Sequence, residues 1–114
     1  MCVDCADAHV MAEFYGALLG WEVTYSEADY VLMRDPDGGT GLSFQTEPGY
    51  REPTWPAESH RQRKMLHLDI EVADLDASVA HALALGARLA DHQPQERVRV
   101  MLDPAGHPFC LFLD

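Results

Sequence analysis

Positive charge is scarce in this sequence. Of 114 residues only 8 are Lys or Arg, against 19 Asp or Glu, a formal net charge of −11. A field of that sign repels phosphate, which argues against nucleic acid or an anionic membrane as a partner. Long apolar runs are missing too, since no stretch reaches the roughly 18 residues that a membrane helix needs. The opening Met1-Cys2-Val3-Asp4 lacks the basic-then-apolar order of an export signal, so a cytoplasmic location is expected. Cysteine is sparse. Cys2, Cys5 and Cys110 are an odd number without framework spacing, consistent with a reduced compartment. Neither G-x-x-x-x-G-K-[ST] nor a strand–G-x-G-x-x-G–helix occurs, so nucleotide binding has no support. The glycine-rich Asp37-Gly38-Gly39-Thr40-Gly41 has no helix after it on which to seat a phosphate.

What remains fits one domain with a normal globular balance, 47% hydrophobic and 24% charged. Cys2-Val3-Asp4-Cys5 is formally a C-x-x-C. It falls in a strand-like run, where positions i and i+3 face opposite ways, and this speaks against a redox or zinc pair.

The chain repeats itself. Residues 7–20 read as a helix, with Asp7 as N-cap and Gly20 in the left-handed position that ends it. Residues 74–86 follow the same plan, with Asp74 as cap, Gly86 at the end and Leu75, Val79 and Leu83 as an apolar stripe. The caps are offset by 67 residues and the glycines by 66. A turn signal, Met33-Arg34-Asp35-Pro36-Asp37-Gly38, returns 68 residues later as Met101-Leu102-Asp103-Pro104-Ala105-Gly106. Strand-like runs surround each landmark. Residues 2–5, 21–25, 30–33 and 41–45 belong to the first half, and 64–72, 87–90, 98–102 and 108–113 to the second. Each half therefore reads strand–helix–strand–strand–strand. Module one covers about 1–46 and module two about 64–114. The intervening linker, about 47–63, holds three of the seven prolines, Pro48, Pro53 and Pro56.

Four motifs carry a resemblance. They are Phe14-Tyr15-x-x-Leu18-Leu19-Gly20-Trp21, His67-Leu68-Asp69-Ile70-Glu71-Val72-x-Asp74, Leu85-Gly86-Ala87, and Asp103-Pro104-x-Gly106-His107-Pro108-Phe109. Together they make the chain similar to the vicinal oxygen chelate superfamily, the glyoxalase/bleomycin-resistance/dioxygenase fold, and within it to small glyoxalase-like proteins. The resemblance implies a single α+β domain, residues 1–114, of two tandem βαβββ modules whose curved mixed sheets enclose a cavity. It also implies a homodimer. Metal enzymes of this superfamily take ligands from the first and last strands of each module. By resemblance, those places fall on His67 and Cys110 in module two, on Ser43 in module one, and at or just before Met1. Of these, His67 is a usual ligand, and Cys110 stands where a Glu is typical. No cofactor is therefore predicted. A divalent metal on an unusual set drawn from His67, Cys110, Asp69 and Glu71, or from a dimer partner, is the alternative.

Each candidate residue also has a plainer reading. His67, Asp69 and Glu71 alternate onto one strand face, where the imidazole can contact a ligand or act as acid or base with a carboxylate holding its tautomer. It can equally be a histidine bonded to the next strand. Cys110 shares a face with Phe112. It is either a soft zinc ligand beside His67 or a small buried thiol. Gln45 faces the same way as Ser43. Trp55 sits in the Pro-rich linker, where an aromatic closes over a ligand, a partner or the module's own cavity. The basic run His60-Arg61-Gln62-Arg63-Lys64 either steers an anion or is a solvated loop end. Phe14, Tyr15 and Phe109 read as core, His107 as a turn residue, and His81 and His92 as solvent-facing.

The function expected is a glyoxalase-like, bleomycin-resistance-type protein that binds a partly apolar or aromatic small molecule in a metal-poor cavity. The contacts would come from His67, Asp69, Gln45, Ser43, Cys110, Trp55 and Phe112. The alternatives are a metal-dependent lyase, isomerase or dioxygenase, a metal-free enzyme with His67 or a carboxylate as general base, and a purely structural dimer module.

Overall fold

A computed structural model describes residues 1–114. The first half contains β1 (Cys2–Cys5), α1 (Ala8–Leu19), β2 (Glu22–Ser26), β3 (Tyr30–Arg34) and β4 (Gly41–Thr46). The second contains β5 (Leu68–Glu71), α2 (Leu75–Ala84), β6 (Arg88–Leu89), β7 (Val98–Leu102) and β8 (Pro108–Phe112). Each half forms its own open four-stranded sheet, in the orders β1-β4-β3-β2 and β5-β8-β7-β6. In both, the first strand pairs parallel with the last and the remaining pairs are antiparallel. The fold is thus α+β, with two tandem βαβββ modules.

The helix ends follow from side-chain chemistry. The Asp7 carboxylate accepts from the backbone N–H of His9 at 3.0 Å, and the Asp74 carboxylate from that of Ala77 at 3.0 Å, satisfying N–H groups that have no intrahelical partner. Gly20 leaves α1 at φ 73°, a left-handed conformation that costs a side-chain-bearing residue more.

Chain contacts divide the molecule into two compact units, Met1–Tyr50 and Arg51–Asp114. In the first, Tyr15 of α1 stacks on Phe44 of β4 at 5.6 Å, among buried Met11, Val31 and Met33. In the second, α2 packs against β7 and β8, whose Met101, Phe109 and Leu111 are buried. No regular element lies between Thr46 and Leu68, where Thr54 and Arg63 make an isolated bridge. Most of this segment packs with the second unit. Glu52 accepts from Arg88 at 2.9 Å, and a Cβ at Gly106 would collide with the Glu52 side chain.

Three sequence expectations need correction. The run 64–72 is a strand only over Leu68–Glu71. Its partner β8 begins at Pro108, which has no N–H to donate, so the parallel ladder stops and Met65 and Leu66 are left exposed. The run 87–90 contributes only the two-residue β6, with Ala87 and Ala90 buried on either side. On α2, Leu83 is 45% exposed. Eight residues at about 100° each carry it roughly 80° from Leu75, whereas Ala82, seven residues on, returns to the buried line.

That rotation can be measured by urea unfolding. Leu75→Ala removes a side chain that is 8% exposed and should cost about 2–3 kcal/mol. Leu83→Ala should change stability by less than about 0.5 kcal/mol. Equal losses would place the apolar face where the simple i, i+4, i+8 count puts it.

Candidate functional site

The β7–β8 hairpin builds one wall of a pocket within the second unit. The turn after Leu102 is held by buried Asp103, whose carboxylate accepts from the N–H groups of Ala105 at 2.9 Å and His107 at 3.0 Å. This closure sets Leu102 opposite Pro108 and therefore Val100 opposite Cys110. Strand alternation then sends Phe109 and Leu111 to the buried face and Cys110 to the other. In the parallel pair, Asp69 stands opposite Cys110.

Three donor groups meet there. His67 Nε2 lies 3.2 Å from Asp69 Oδ1, and one ligand atom from each of His67, Asp69 and Cys110 falls within 4.8 Å of the others. His67 stands one residue before β5, yet it still turns its ring to the Asp69 side. Burial pushes the Cys110 thiol up to about 11, and the Asp69 carboxylate adds to the rise by its charge and hydrogen bond, while Lys64 opposes it. The thiol is therefore neutral at physiological pH.

Beside this cluster is a cavity of about 200 Å³. Val98 and Val100 of β7, Pro108 and Cys110 of β8, and Pro94 and Gln95 before β7 line it. Trp55, Lys64 and His67 complete the lining. Trp55 is held from several directions. Its indole Nε1 donates to the His92 carbonyl at 3.3 Å, the His92 ring lies 6.0 Å away, and the Lys64 ammonium sits 4.8 Å from the indole centroid. Gln93 pins the adjoining loop. Its amide donates to the carbonyls of Ala90 and Val100 at 2.7 and 2.9 Å and accepts from the Val100 N–H at 2.8 Å.

The structure thus brings together His67, Asp69, Cys110 and Trp55. Phe112 is half-buried on β8 opposite Glu71, outside the pocket lining, and Glu71 is outside the three-donor cluster. Ser43 and Gln45 belong to the first unit. Ser43 is buried, with its hydroxyl 3.5 Å from the Met1 carbonyl, and the exposed Gln45 donates to Glu47 at 3.3 Å. His92 is exposed, as expected, but it also braces Trp55. Sequence reasoning did not single out Gln93, Pro94, Gln95, Val98 or Val100. Counting strand register outward from the Asp103-Pro104 turn would have found the two valines. Nothing local marks Gln93.

Comparison with known proteins agrees with this architecture. The family model for the glyoxalase-like domain matches residues 1–112. The chain belongs to the glyoxalase-like domain family, within the vicinal oxygen chelate superfamily. Among solved structures, it is similar to a glyoxalase/bleomycin resistance protein/dioxygenase family enzyme from Burkholderia phytofirmans PsJN, at 17% identity and TM-score 0.73, over 99% of this chain and 94% of the other. It is also similar to TnmS3, an antibiotic binding protein from Streptomyces sp. CB03234, at 17% identity and TM-score 0.64, over 99% and 91%. A third similar structure is the fosfomycin resistance protein FosX from Mesorhizobium loti, at 15% identity and TM-score 0.70, over 100% and 88%. No functionally curated protein matches the sequence.

The thiol's environment sets a pH dependence. With its midpoint near 11, Cys110 in metal-stripped protein should alkylate about 100-fold more slowly at pH 8 than an ordinary free thiol. The rate should climb about tenfold per pH unit up to pH 10 without a plateau. Its protonated form also favours the fold. That contribution is present below pH 9.0, where an unfolded thiol is still protonated, and is lost as pH rises toward 11. Mass-resolved alkylation checks this, and a plateau below pH 9 would show that the thiol is not shielded.

Proposed function

We propose that this chain is a small-molecule-binding protein that holds a partly apolar, one-ring-sized compound in the second module, with Trp55 as the wall, His67 as the orienting polar group and Cys110 as part of the floor. The observation that carries this reading is the cavity itself: about 200 Å³, mostly apolar, with a braced indole and an imidazole facing in. An apolar cavity of about 150 Å³ is enough to hold benzene, so this one suits a single substituted ring. Burying roughly 150 Å² of such a ring yields about 4 kcal/mol before association costs, so one-ring compounds should bind weakly, with Kd no tighter than about 1 mM. The similarity to an antibiotic binding protein and a fosfomycin resistance protein supports small-molecule binding. A homodimer and a cytoplasmic location belong to the same reading, supported by the family resemblance and by three cysteines that all stay free. No helix is long and apolar enough to cross a membrane.

Titrating a panel of one-ring compounds into labelled protein tests the pocket. The Trp55 indole and His67 signals should move together, and replacing both residues by Ala should weaken binding at least tenfold. Unchanged affinity, or shifts confined to other regions, would discard the assignment.

A second reading rests on the three-donor cluster. One nitrogen, one oxygen and one sulfur donor within 4.8 Å match the three-protein-ligand pattern of a zinc site with an open position. His67, Asp69 and Cys110 would hold the ion, which would supply Lewis-acid polarisation of a bound oxygen. Elemental analysis of protein purified without a His tag decides between the two. The metal reading predicts stoichiometric zinc that is lost in His67→Ala, whereas the metal-poor reading predicts less than about 0.1 ion per chain.

A further inference from the structure

The pocket carries information about charge as well as size. Its walls at Val98, Val100 and Pro108 are apolar, and His67 already has a carboxylate partner in Asp69 at 3.2 Å. Lys64 has none. The ion pairs of the molecule are Arg61–Glu58, His67–Asp69 and Arg88–Glu52, and none includes Lys64. Its ammonium instead lies over the Trp55 ring at 4.8 Å, at the lining of the cavity. In a chain with 19 acidic and 8 basic residues, a cation left without a carboxylate beside an apolar pocket is a vacancy for an anion. The indole contact restrains the ammonium without neutralising it, so a ligand carboxylate gains a pre-positioned, charge-assisted partner.

From these features we infer that the pocket's ligand is a one-ring aromatic carboxylate, its ring against Trp55 and the valine wall and its carboxylate on Lys64. The inference rests on the small-molecule reading above and adds the charge of the ligand. A cavity of about 200 Å³ has room for one ring with its carboxylate substituent. A ligand cation would be repelled by Lys64, and a neutral ring would gain no charge-assisted hydrogen bond from it.

The test uses the full chain and three probes of one shape and different charge: benzoate, benzamide and benzylamine. Affinities come from two-dimensional NMR titration, followed on the Trp55 indole signal. Benzoate should bind at least tenfold tighter than benzamide and weaken as salt is raised, and benzylamine should not bind. Lys64→Gln should bring the benzoate-to-benzamide affinity ratio down to about one, whatever it does to benzamide itself, and Lys64→Arg should restore most of that ratio. The spectrum of each variant reports directly whether it is folded. Equal affinities for benzoate and benzamide, or a benzoate preference that survives Lys64→Gln, would overturn the charge assignment and leave the small-molecule reading standing. Failure of all three probes, and of a wider neutral panel, to move the Trp55 signal would overturn both.

Discussion

The second module depends on one register: β5 beside β8 in parallel, with Asp69 opposite Cys110. Because β8 alternates, that register assigns two jobs to adjacent residues. Phe109 and Leu111 go into the core under α2, while Cys110 goes to the pocket side with Val100 beside it. A slip of β8 by one residue would turn Phe109 and Leu111 outward and Cys110 into the core, so core packing and site geometry reinforce one another. The buried Asp103 turn holds the register at one end, and Pro108 ends the ladder so that His67 is released from the strand beside the same face.

The first module shows what the same scaffold does with other residues. Its parallel pair sets Cys2 opposite Ser43, the places that Asp69 and Cys110 take in the second. The offset between them is 67 residues, in keeping with the repeat of caps and turns. The core positions match in the same way, with Phe44 in the place of Leu111 and Leu42 in that of Phe109, all buried. The repeat therefore preserves the packing side of the sheet closely while the other side is free to differ.

This division explains how much could be read from residues alone. Caps, turns and terminal glycines act locally, so Asp7, Asp74, Gly20 and the two Asp-Pro turns announced both helices and both hairpins. Alternation placed Phe109 and Leu111 on one side and Cys110 on the other. Two errors came from treating local patterns as longer than they are. The stripe through Leu83 ignored the drift of an i, i+8 spacing, and the strand through Met65 ignored the proline at the start of its partner. The pocket was only partly legible. His67, Asp69, Cys110 and Trp55 were named, but the role of Lys64 depends on how the irregular segment before β5 folds over. The role of Gln93 depends on three hydrogen bonds that no motif encodes.

The cavity lies on the face of β8 that carries Cys110, opposite the face of Phe109 and Leu111. Its most direct test is a crystal structure of the chain soaked with a one-ring fragment. The account predicts electron density bounded by Trp55, Val100 and Cys110, with Phe109 and Leu111 buried on the opposite side of the hairpin. Side chains filling that space, or Cys110 packed in the core with Phe109 turned outward, would contradict it.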